Sequence, residues 1–178
     1  MLTPAQTTKA LAVVVAEIEA HAAESGWDNS AMLFALVPTG ELARAEPALA
    51  EALGLDPGAA GFTPVDQELP VDRDLEKALT TMTWPAEVSG CAAVVERLVL
   101  PPSADGAIPE DREAAAAYAA EHPDRQELRM VAAALRDGTT YCALRFRTHD
   151  DPASVVAGPD LVPALLELLQ ATLNEEDQ

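Results

Sequence analysis

The feature that most constrains this chain is Asp137-Gly138, set within the stretch from Arg125 to Thr148, which reads as two strands joined at that dipeptide. Asp-Gly between apolar runs predicts a two-residue type I′ hairpin turn, because both central positions need positive φ. Such a turn pairs Arg136 with Thr139, and then Val131 with Leu144, Ala133 with Cys142 and Arg129 with Phe146. That face, carrying Val131, Leu135, Leu144 and Phe146, is expected to meet the core. The opposite face pairs Leu128 with Arg147, Met130 with Arg145, Ala132 with Ala143 and Ala134 with Tyr141. It is expected to be flat and half apolar, with two guanidinium groups at one end. A slip of one residue would exchange these faces, so the assignment depends on the turn.

Around this hairpin the chain reads as alternating elements. Thr3-Pro4-Ala5-Gln6 opens a helix with a capping box and a proline in the first turn. Leu11, Val14, Val15, Ile18 and Ala22 give it one buried stripe up to about Gly26. Met32 to Val37 predicts a buried strand ended by Pro38. Thr39 is expected to cap a helix that is interrupted at Pro47 and resumes to about Leu53. Phe62 to Leu69 reads as an edge segment because of Pro64 and Pro70. Asp72 is expected to cap a short helix containing Leu75, Leu79 and Met82. Gly90 to Leu100 predicts the longest apolar strand, closed by a loop over 101–106, and Glu110 to Glu121 an alanine-rich helix stopped by His122-Pro123. After the hairpin, a loop leads to a last helix capped by Asp160 and carrying Leu161, Leu165, Leu168, Leu169 and Leu173. The expected fold is α+β in one domain over 1–178. A mostly antiparallel sheet of at least four strands carries helices packed on it, with N- and C-terminal helices framing the sheet. Residues 174–178 form an acidic tail.

Charge excludes some partners. Thirty acidic residues against 11 basic ones give a net charge of −19, which repels phosphate backbones and anionic bilayers, so neither nucleic acid nor membrane is expected. No apolar run is long enough to span a bilayer and the N-terminus lacks a basic leader, so a cytoplasmic location is expected. Cys91 and Cys142 fall in expected strands, far apart and without CxxC spacing, and are read as buried free thiols. The nucleotide, P-loop, serine-hydrolase and zinc-protease motifs are missing from the sequence. His149-Asp150-Asp151 reads as a polar turn and His122-Pro123-Asp124 as a helix stop, so no catalytic residue, metal ligand or cofactor is assigned.

The scarce basic residues are more informative. Seven of the 11 lie between residues 97 and 147. Arg97, Arg129, Arg145 and Arg147, with Glu96, are the candidate ligand-binding residues, since clustered arginines suit a carboxylate or phosphate. The competing expectation is that these arginines pair with Glu96 and Glu127 across the sheet.

Three blocks of sequence carry a resemblance. The first joins Trp84-Pro85 and Gly90-Cys91-Ala92 to the run from Val95 through Glu96 and Arg97 to Pro102. The second comprises His122-Pro123, Arg125, Asp137-Gly138 and Leu144-Arg145, and the third Gly158-Pro159-Asp160-Leu161-Val162-Pro163. Together they resemble a family of uncharacterised actinobacterial proteins over most of the chain. Two lysines against nine arginines fit such a source. The resemblance implies no activity and transfers no catalytic residue. At the level of fold, size, acidity and element order are also similar to secretion-chaperone-like α/β proteins, which commonly dimerise. The expected function is a non-enzymatic cytoplasmic protein-binding or regulatory module, with a protein partner or a homodimer. The alternative is a small enzyme or small-anion binder using the arginine cluster.

Overall fold

The computed structural model describes residues 3–69, 75–100 and 106–174. In chain order the elements are α1 (Pro4–Glu24), β1 (Met32–Pro38), α2 (Thr39–Ala45), α3 (Pro47–Leu53), β2 (Phe62–Gln67) and α4 (Leu75–Leu79). They continue with β3 (Gly90–Val99), α5 (Arg112–Glu121), β4 (Gln126–Leu135), β5 (Thr140–Phe146), β6 (Val156–Gly158) and α6 (Pro163–Leu173). The strands form one six-stranded sheet in the order β2-β1-β3-β4-β5-β6, and every neighbouring pair is antiparallel. The α+β class and the framing terminal helices are as expected from the sequence. Asp72, residues 101–105 of the expected loop and residues 175–178 of the expected tail lie outside the described residues.

The sheet is covered on both faces. On one side α1 lays Leu11, Val14, Val15, Ile18 and Ala22 against Phe34, Leu36, Ala92, Val94, Val131, Ala133 and Leu135. On the other, α4 and α6 bring Leu75, Leu79, Leu165, Leu166, Leu169 and Leu173, with Trp84, onto Leu33, Ala35, Cys91, Ala93, Val95, Ala132 and Ala134. Strands buried on both faces read as unbroken apolar runs rather than alternating ones, which explains the composition of β3 and β4. Alanines at 92, 93 and 132–134 keep both faces low, so helices of modest size fill each layer.

The hairpin turn has three residues, not two. Gly138 N–H donates to the Leu135 carbonyl at 3.0 Å, and Leu135 N–H donates to the Thr139 carbonyl at 2.9 Å. Gly138 has φ +95°, and Asp137 accepts from Thr139 N–H through Oδ1 at 2.9 Å. This loop asks only the glycine for left-handed backbone, whereas a type I′ turn would also force Asp137 there. The extra loop residue shifts the register by one. Arg129 now stands opposite Arg145, Val131 opposite Ala143 and Met130 opposite Leu144. Arg145 therefore shares the α1 face with Arg129 and Val131, while Leu144 and Phe146 move to the face under α6. The flat, half-apolar face expected from the sequence is divided between the two layers, Ala132 and Ala134 lying under α6 and Tyr141 and Ala143 on the α1 side.

Smaller differences have local causes. Thr39 is the first helical residue rather than a cap, and its hydroxyl bonds Thr63 across the β1–β2 pair at 2.8 Å. Pro163 at the first turn of α6 puts Val162, not Asp160, at the N-cap. Strand β6, read as loop from the sequence, pairs through only Val156, Ala157 and Gly158. Asp111 caps α5 through Ala114 N–H at 2.9 Å, yet α5 buries no residue.

Gly90, at the start of β3, faces Leu135 in the register. A Cβ built there would lie 2.4 Å from the Ala134 carbonyl oxygen and 2.5 Å from Leu135 Cδ2. The first of these neighbours is backbone in a central strand and cannot step aside. Gly90→Ala is expected to cost about 1–3 kcal/mol, seen as a lower thermal midpoint; an unchanged midpoint would mean that the β3–β4 spacing is elastic there.

Candidate functional site

At one end of the sheet, Arg129 and Arg145 lie directly opposite each other on adjacent strands. Like charges so placed repel, and both side chains are withdrawn from water, Arg129 being 1% and Arg145 5% exposed. Glu19 resolves the conflict. It sits on the sheet-facing side of α1, is 3% exposed, and reaches between the two guanidinium groups. Arg145 grips it with both ends of its fork, Nε to Oε2 at 2.8 Å and Nη2 to Oε1 at 2.7 Å. Arg129 adds Nη1 to Oε2 at 3.3 Å and donates Nη2 to the Gly26 carbonyl at 2.5 Å. The remaining arm of Arg145 reaches Asp150 Oδ1 at 3.0 Å. Two cations and two carboxylates thus cancel within one cluster.

The loop after α1 is fastened to the same end. The Trp27 ring lies with its centroid 4.4 Å from the Arg129 guanidinium carbon and 5.6 Å from that of Arg147, in reach of cation–π attraction. Its indole N–H donates to Asp150 Oδ2 at 3.0 Å. Asp28, at φ +68°, receives both arms of Arg147 at 3.0 and 3.2 Å, and Arg147 also reaches Glu127 at 3.1 Å. Glu96 accepts the backbone N–H groups of Asp28 and Asn29 at 2.8 and 3.1 Å.

Of the residues singled out from the sequence, Glu96, Arg129, Arg145 and Arg147 come together here. Arg97, the next residue on β3, points to the opposite face and pairs with Glu76 of α4. The organising residues that sequence reasoning missed are Glu19, Trp27, Asp28 and Asp150. For Glu19 a signal existed: it stands beside the apolar stripe of α1, four positions after Val15 and three before Ala22, where a surface charge does not belong.

The Trp27 N–H, followed by Arg145, holds the Asp150 carboxyl below the usual aspartate range. A depressed acid contributes stability that is complete above its unfolded value and is lost as pH falls through the folded one. In a Trp84→Phe background, acid titration should therefore give a step in Trp27 fluorescence below the ordinary aspartate range, which Asp150→Asn removes. A transition at about pH 6, the histidine range, would overturn this assignment.

Beside the cluster, α1 leaves the β5–β6 edge partly uncovered. The cleft between them has a volume of ≈ 410 Å³, with Ala12, Ala16, Ala20 and Ala23 on the helix side and Tyr141 and Val155 opposite; Glu19 and Arg145 lie at its floor. Its walls are apolar, and its floor is a matched ion pair. Val13, on the outer side of α1, is 53% exposed.

Both cysteines are free and buried. Burial pushes the Cys91 thiol up to about 11, against the lowering effect of Thr172, and burial also raises that of Cys142. The thiolate is the reactive form. A chromogenic disulfide reagent at mildly alkaline pH should thus label neither cysteine in the folded protein and both after denaturation; fast labelling of the native chain would contradict the packing. Among the described residues no group of three or more His, Cys, Asp or Glu side chains is placed to hold a metal ion. Among those same residues no helix is long and apolar enough to cross a membrane.

Fold and site together define an α+β protein of one antiparallel sheet, sandwiched by its terminal helices and clasped at one end by an internal arginine–carboxylate cluster. Residues 11–174 match the PPA1309-like protein family, and the chain belongs to it. That family is uncharacterised, as the sequence blocks implied. Comparison with curated proteins and with solved structures gives no match.

Proposed function

We propose that this protein is a non-enzymatic protein-binding module of the actinobacterial cytoplasm. It engages a segment of its partner in the cleft between α1 and the β5–β6 edge. The observation that carries this reading is the cleft itself: ≈ 410 Å³ of largely apolar wall, open beside the most extensive helix of the fold. A concave apolar surface with few polar groups is the default place for recognition. The smooth alanine wall suits the close approach of another backbone.

The small-anion reading of the arginine cluster draws less support. Arg129 and Arg145 already hold Glu19, and Arg147 holds Asp28 and Glu127. An anion would have to displace a carboxylate that the fold itself supplies. Titration with inorganic phosphate tests it, since amide shifts in residues 125–148 at millimolar phosphate would revive that reading.

Affinity purification from the native cytosol, with the tagged wild-type chain beside Ala16→Arg, tests the binding module. Ala16 is exposed on α1, so the variant should fold and fill the cleft. A protein recovered with the wild type and lost with the variant is the expected result. Recovery of untagged copies of the chain itself would show the homodimer. Equal recovery with both forms, or none with either, would sink the reading.

A further inference from the structure

We infer that the occupant of this cleft is a basic amphipathic helix of another protein. Its apolar side would seat on the alanines of α1 and its cationic end beside the C-terminus of α1. The inference rests on the cleft being the binding place proposed above and adds the chemistry of what fills it.

Shape gives the first argument. Ala12, Ala16, Ala20 and Ala23 form one wall, with Val15 and Glu19 buried between them, so the side chains that this wall exposes are all short. Tyr141 and Val155 rise on the other side as contacts for its apolar residues. This is the geometry of a helix laid in a groove, read by residues at helical spacing.

Charge gives the second. The cleft has a negative end. Ala23 and Pro152 both line it, which places their neighbours Glu24 and Asp151, both exposed, at the same end as Asp150. Lys9 belongs to the opposite flank of α1, in a separate hollow with Val13 and Phe62. The one cation in the cleft, Arg145, is already matched by Glu19 and Asp150. A partner therefore meets two carboxylates without a cation among the described residues, Glu24 and the turn-capping Asp151, at one end and apolar wall along the rest. A second copy of this chain fits poorly, since it would bring its own net charge of −19 against this end.

The test uses the isotopically labelled full-length protein and a synthetic amphipathic helical peptide, leucine and alanine on one side and lysine and arginine on the other. A second peptide carries glutamate in place of each cation. The cationic peptide is expected to bind with an affinity that falls as salt is raised, and to shift amides within residues 12–23 and 141–157. The glutamate peptide should bind at least about tenfold more weakly, and Glu24→Lys should weaken the cationic peptide several-fold. Ala16→Arg should abolish binding, with an unchanged thermal midpoint to show that it is folded. Equal affinity for both peptides, or shifts on another face, would overturn the inference. Absence of peptide binding, with a dimer in sedimentation that Ala16→Arg dissociates, would overturn the occupant and leave the cleft reading standing. A variant that alters neither peptide binding nor self-association would overturn both.

Discussion

Glu19→Ala is expected to lower stability by about 3–5 kcal/mol, the cost of removing one member from a buried ion cluster. The loss follows from what remains. Arg129 and Arg145, 1% and 5% exposed, would face each other across the β4–β5 pair with no anion between them. In a chain of this size that corresponds to a fall in the thermal midpoint on the order of 10 °C. Glu19→Gln, which keeps the shape and one acceptor, should fall between the two. The triple replacement Glu19→Leu, Arg129→Met, Arg145→Leu should recover most of the loss, because removing a whole buried cluster costs far less than orphaning part of it. A change below about 1 kcal/mol in Glu19→Ala would mean that the cluster behaves like a surface salt bridge.

The second large effect is expected at Arg136, in the hairpin turn. Its guanidinium donates to the carbonyls of Val88, Trp84 and Pro85 at 2.8, 3.0 and 2.9 Å, and to that of Leu173 at the end of α6. Its own N–H donates to Ser89 at 2.9 Å. One side chain thus ties the turn to the loop before β3 and to the last turn of the C-terminal helix. Arg136→Ala should cost about 2–4 kcal/mol, since hydrogen bonds from a charged donor are each worth about 1.5–3 and are not additive. Hydrogen exchange should speed up most in the last turn of α6 and around Val88. Arg136→Lys should restore less than half, because a single ammonium cannot span carbonyls that a planar fork reaches together. Full rescue by lysine would show that charge alone matters.

The same turn explains how far the sequence could be read. Asp137-Gly138 located the hairpin correctly, and its flanking runs became β4 and β5. Turn position, however, is encoded more strongly than loop length. One residue in the loop decided which face Arg145 shares, and with it the partner of Glu19. The apolar patterns of α1, β1, β3 and α6 fixed their elements because each buries a continuous surface. Strand β6 escaped notice since three residues carry no period. The site was half legible: arginines scarce in an acidic chain drew attention to Arg129, Arg145 and Arg147. Of their counter-charges, Glu127 was expected from the sequence and pairs with Arg147, whereas Glu19, Asp28 and Asp150 were not, because local spacing does not connect them to β4 and β5. Arg97 was grouped with them because it too lies in a strand, although Glu96 and Arg97, as successive strand residues, point to opposite faces.

The clasp at the sheet end also dictates an order of events. Glu19 meets Arg129 and Arg145 across 110 and 126 positions of chain, and Trp27 meets Asp150 across 123. During synthesis α1 emerges long before β4 and β5, the strands that neutralise its buried carboxylate. Until then Glu19 stays hydrated, and the apolar stripe of α1 cannot settle fully onto a partial sheet. Closing loops of this length is slow. Helix α1 is therefore made well before the strands it packs on, and is among the last elements to be locked.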